Sequence, residues 1–102
     1  MKVEHGSGFW ADVRDDRWTF GDLEAARADG WRPLMARFVT AWSVASPITE
    51  EGIANLDGEI GVWLETEVLT AAAALRTAQQ ERYGDPKVES SISSSPSTEA
   101  TS

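Results

Sequence analysis

The residues able to do chemistry are few and poorly placed for it. His5 is the only histidine and the chain has no cysteine. That removes thiolate zinc sites, cysteine nucleophiles and multi-histidine metal centres. A serine–histidine mechanism would rest on His5 alone, and its setting, His5-Gly6-Ser7-Gly8, reads as a loose surface loop. The same glycines are too closely spaced for a phosphate-binding loop, which also needs a lysine. Asp12, Asp15, Asp16 and Asp22 form an acidic cluster interrupted by Arg14, Arg17 and Trp18. A calcium loop alternates its ligands around a central glycine and closes with a glutamate, and this cluster does neither. It reads instead as a solvated turn that caps a helix. Paired carboxylates stand at Glu50/Glu51 and Glu65/Glu67. Acid–base pairs need one carboxyl in a dry pocket, and nothing in the sequence implies one. Glu67, on the apolar side of its helix, reads as a rim residue paired with an arginine. The expectation is a non-enzyme with no cofactor and no metal.

Charge narrows the partners. Nine Lys+Arg against seventeen Asp+Glu leave −8 over 102 residues. Phosphate contacts need a basic face and anionic membranes attract basic segments, so neither nucleic acid nor a membrane is an expected partner. The opening MKVEHGSGFW lacks the apolar core of a signal peptide, and an intracellular location is expected. Residues 84–102, GDPKVESSISSSPSTEATS, hold only Val88 and Ile92 as branched aliphatics. Such a segment buries too little apolar surface to offset its ordering entropy. It reads as a disordered Ser/Thr-rich tail behind a compact domain over residues 1–83. The tail carries Asp85, Glu89 and Glu99 against Lys87, so most of the acid sits on the compact part, interleaved with arginines.

Periodicity and caps then predict the elements that must position any surface. Residues 9–14 alternate in part, and residues 1–4 can pair with them across the glycines as a hairpin. Thr19 and Asp22 form a capping box, opening a first helix to about Ala28 with Phe20 and Leu23 inward. Trp31, Leu34, Met35, Phe38, Val39 and Trp42 match one face of a second helix, ended by Ser46-Pro47. Thr49 opens a short third helix with Ile53 and Leu56 inward. Asp57 caps a long fourth, roughly residues 58–82, whose main face carries Ile60, Trp63, Leu64, Val68, Ala71 and Leu75. Val62 and Leu69 fall roughly opposite that face. The expected fold is mainly α: a short N-terminal hairpin or strand, then a small bundle of four helices.

Tryptophan is abundant, with five residues, and it favours both cores and interface hot spots. Trp42 and Trp63 read as core, while Trp10, Trp18 and Trp31 lie at element ends where either role fits. Trp31 with the Val62/Leu69 strip forms the candidate partner-binding surface.

The order of elements resembles a known group. Gly8-Phe9-Trp10-Ala11-Asp12-Val13-Arg14-Asp15 looks like the "G-x-W-A-x-L-R-D" opening strand of small tail assembly chaperones from long-tailed (siphovirus-type) phages of actinobacteria. Val39–Ser43, then Pro47-Ile48-Thr49-Glu50-Glu51 with Ile53, Leu56 and Asp57, resembles their "W-S … P-(I/V)-T-x-E-x-(I/L)-x-x-L" stretch. The resemblance covers about residues 8–75 and rests on the order and spacing of soft motifs. It implies a non-catalytic protein of the host cytoplasm that keeps the tape measure protein soluble, helps recruit tail tube protein, and is not retained in the mature virion. A longer frameshifted form and a homo-oligomer are compatible with it. Two other readings stay open: an acidic inhibitor that imitates DNA toward a host nuclease or polymerase, and a minor structural virion protein. A mimic needs carboxylates in ordered rows, and here they alternate with arginines.

Overall fold

The computed structural model describes residues 1–83; the tail expected over residues 84–102 lies outside the described residues. The hairpin forms as the sequence predicts. Strands β1 (Lys2–Glu4) and β2 (Trp10–Val13) pair antiparallel, and Gly8 supplies a φ of 99° in the connecting turn. Helices α1 (Phe20–Ala26) and α2 (Arg32–Phe38) follow. The chain then enters a third strand, β3 (Val39–Trp42), before α3 (Glu50–Ala54) and α4 (Gly58–Tyr83). The sheet order is β1-β2-β3. The architecture is therefore a mixed one, a three-stranded antiparallel sheet with four helices, rather than a helical bundle behind a hairpin.

Strand β3 corrects the expected second helix, and its geometry explains the misreading. In a regular strand Val39 and Trp42, three residues apart, would point to opposite faces. The pairing of β2 with β3 shifts register between Asp12 and Val13, matching Asp12 with Ala41 but Val13 with Val39. Thr40 is the extra residue of a bulge, exposed, with its hydroxyl donating to the Asp12 carbonyl at 3.3 Å. The bulge returns both Val39 and Trp42 to the buried face. A bulged strand thus reproduces the spacing of a helix face. The β-branched pair Val39-Thr40 and the free edge of β2 favour the strand.

The core lies between the sheet and the helices. Phe9, Ala11 and Val13 from the β2 segment meet Leu34, Met35 and Phe38 of α2, Val39 and Trp42 of β3, and Ile53 of α3. Leu64, Val68, Ala71 and Ala72 of α4 close it. A fully buried side chain such as Leu64 contributes about 2–3 kcal/mol by burial. Helix α3 is capped by the Thr49 hydroxyl, which accepts from the Gly52 amide at 3.0 Å. Gly52 is obligatory here, because a Cβ would run into the Pro47 carbonyl oxygen.

Three finer expectations change. Phe20 points to solvent, 68% exposed, while Asp22 is fully buried. The capping box sets the helix phase so that Asp22 faces inward. Phe20, two residues earlier and so about 200° around the helix, must then face out. Trp63 is half-buried at the core's edge rather than inside it. Leu69 is also half-buried against the core rather than opposite it, because the α1–α2 corner wraps that side of α4.

Candidate functional site

The acidic cluster comes apart in three dimensions. Asp15 and Asp16 are exposed, whereas Asp22 turns inward to arginines from two directions. Arg14 grips both carboxylate oxygens through Nη1 and Nη2, each at 3.0 Å. Arg37 Nε donates to Oδ1 at 2.9 Å, and the Thr19 amide donates to Oδ2 at 2.9 Å. Burial alone pushes this carboxyl up, but the hydrogen bonds from Arg14, Thr19 and Arg37 outweigh it and hold the group well below the usual carboxylate range. General acid–base catalysis at neutral pH requires the opposite shift. Arg14 also donates to the Arg17 carbonyl at 2.8 Å and lies 4.8 Å above the Phe38 ring. The ensemble clips the end of β2 to α1 and α2; it presents no reactive group.

His5 is better held than a loose loop residue. Its ring stands edge-on to Trp63 at 5.2 Å, with Nε2 3.8 Å from Glu59 and Nδ1 2.9 Å from the Ser7 hydroxyl. Serine, histidine and carboxylate therefore meet in the order of a catalytic triad. The geometry does not support one. The Ser7 amide already donates to Nδ1 at 3.1 Å, so the ring has no free lone pair for the Ser7 hydroxyl proton. Glu59 is 84% exposed and beyond hydrogen-bond reach. Glu67 is half-buried beside Asp15, Thr70 and Leu75. Among the described residues it makes no ion pair: Met1 also borders its hollow, but the terminal ammonium pairs with Asp12 and Asp15 instead.

The apolar surface is more coherent. Trp31 is the N-cap residue of α2 and makes no side-chain cap hydrogen bond; the residue is 40% exposed. Two open hollows flank it. One, of about 250 Å³, is lined by Trp31, Met35, Ile53, Leu56 and Val62, with Arg32 and Glu65 at its edge. The other, of about 260 Å³, is lined by Trp31, Trp18, Leu34 and Leu69, with Arg27 and Arg76 at its edge. Val62 is 65% exposed. The three residues singled out in the sequence, Trp31, Val62 and Leu69, thus share one face along α4. Sequence reasoning missed the arginines. Arg76 follows Leu69 at the same seven-residue interval that separates Val62 from Leu69, a signal that was available. Arg27 and Arg32 arrive from the α1–α2 corner, and no local pattern marks them.

No family model, curated protein or solved structure matches this chain. Among the described residues no helix is long and apolar enough to cross a membrane, and no group of three potential ligands could hold a metal ion.

Proposed function

We propose that this chain is a non-catalytic binding protein that shields an apolar helical segment of a client on the Trp31 face. On the resemblance of residues 8–75 to tail assembly chaperones, we further propose that the client is a phage tape measure protein, held in the host cytoplasm until tail tube protein assembles around it. One observation carries the binding reading. A tryptophan occupies the N-cap position of α2, makes no cap hydrogen bond, and stays 40% exposed where it lines two apolar hollows. A large aromatic left partly in solvent between apolar hollows is the kind of anchor that docking surfaces use. A groove lined by apolar side chains suits an amphipathic helix, and the net negative charge keeps a loaded complex in solution.

The test is co-expression of the chain with apolar helical segments of a tape measure protein. Trp31→Ser combined with Val62→Asp changes only exposed side chains, so the far-UV signal and melting temperature are expected to hold. The soluble fraction of the client is expected to fall to its level without the chain. Leu69→Asp is a poorer probe, because it would place a carboxylate half inside the core. Undiminished solubilisation by the folded double variant would remove the proposal.

A further inference from the structure

We infer that the helix accepted by the Trp31 face carries an acidic flank, clasped by Arg27, Arg32 and Arg76. This rests on the reading of that face as a docking surface and adds the chemistry of the partner. The residues lining the two hollows include three arginines against one glutamate, Glu65. The chain as a whole is strongly acidic, so the charges lining these hollows run against its overall sign. Arg27, Arg32 and Arg76 are all exposed. None of them enters an ion pair among the described residues. Arg14 and Arg37 are spent on Asp22; these three are not. Arg76 instead lies 5.5 Å over the Trp18 ring, which holds its guanidinium at the rim of the hollow.

The dimensions define the occupant. Val62, Leu69 and Arg76 recur every seven residues along α4, a span of about 21 Å at about 1.5 Å per residue. A partner helix of about four turns running along it would place apolar side chains seven residues apart into the hollows on either side of Trp31. Its flanking positions would then face Arg32 at one end and Arg27 with Arg76 at the other. Glutamate or aspartate there is complementary, and lysine is excluded by like charge.

The experiment uses the full chain and three labelled amphipathic peptides of about 18 residues, long enough for about four turns plus ends. They share one leucine face and carry glutamate, glutamine or lysine on the flanks. Fluorescence anisotropy is expected to show the glutamate peptide bound about tenfold more tightly than the glutamine peptide, and the lysine peptide weakest. Raising the salt from about 50 mM to about 500 mM should erase most of that difference. Arg27→Glu with Arg32→Glu should reverse the ranking, and this pair leaves the Arg76–Trp18 contact intact. Equal, salt-independent binding of all three peptides would overturn the acidic partner and leave the docking face standing. Binding of none would overturn both. A concentration-dependent dimer abolished by Trp31→Ser with Val62→Asp would also overturn the inference, because a second copy would then cover the face.

Discussion

Asp22→Asn is the sharpest probe of how this fold is held. The substitution keeps the side-chain volume and removes the charge that Arg14 and Arg37 share. It also turns an acceptor oxygen into an NH2 that faces existing donors. Breaking a buried ion pair by removing one partner costs about 3–5 kcal/mol. Here the discount is set by the arginines: Arg14 is 18% exposed and Arg37 is 45% exposed, so both regain some water when the carboxylate is lost. A net cost of about 2–3 kcal/mol follows. Against a total of about 4–12 kcal/mol for a folded part of this size, that is a large share. Folding depresses the Asp22 carboxyl, so its contribution is complete above the ordinary value of 3.8. It is lost as the pH falls below that value toward the folded one. Urea unfolding followed by tryptophan fluorescence should therefore give a constant gap between wild type and variant from about pH 5 to about pH 8, shrinking below about pH 4. A gap under about 1 kcal/mol at neutral pH, or one unchanged at about pH 3, would refute the clip as the reason for the burial.

Two further variants separate local rules from tertiary ones. Gly52→Ala should lower the thermal midpoint by several degrees, corresponding to about 1–3 kcal/mol, because its Cβ meets the Pro47 backbone rather than a movable side chain. Calorimetry showing no shift would mean that the α3 loop relaxes freely. Phe20→Ser, at a site the sequence places inward and the structure places in solvent, should change stability by less than about 0.5 kcal/mol. A loss of more than about 2 kcal/mol in denaturant titrations would restore Phe20 to the core.

The sequence by itself determined the features that a few neighbouring residues can enforce. The hairpin turn at Gly8, the capping box of Thr19 and Asp22, the Thr49 cap and the long α4 all depend on contacts within about one helical turn, so local chemistry suffices. Residue spacing also singled out Trp31 and Val62, which the structure leaves exposed, and Leu69, which it packs against the core. Tertiary structure alone decided the rest. Val39–Trp42 carries a helix-like spacing, yet becomes a strand because the edge of β2 lies beside it and a bulge at Thr40 keeps both large side chains buried. Asp22 could be read as a cap, but its full burial required Arg14 and Arg37, eight and fifteen residues away. The face around Trp31 acquired its arginines in the same way, two from the α1–α2 corner and one from α4. Periodicity reports which side of an element is apolar; only packing decides what covers that side, and which charges gather at its edge.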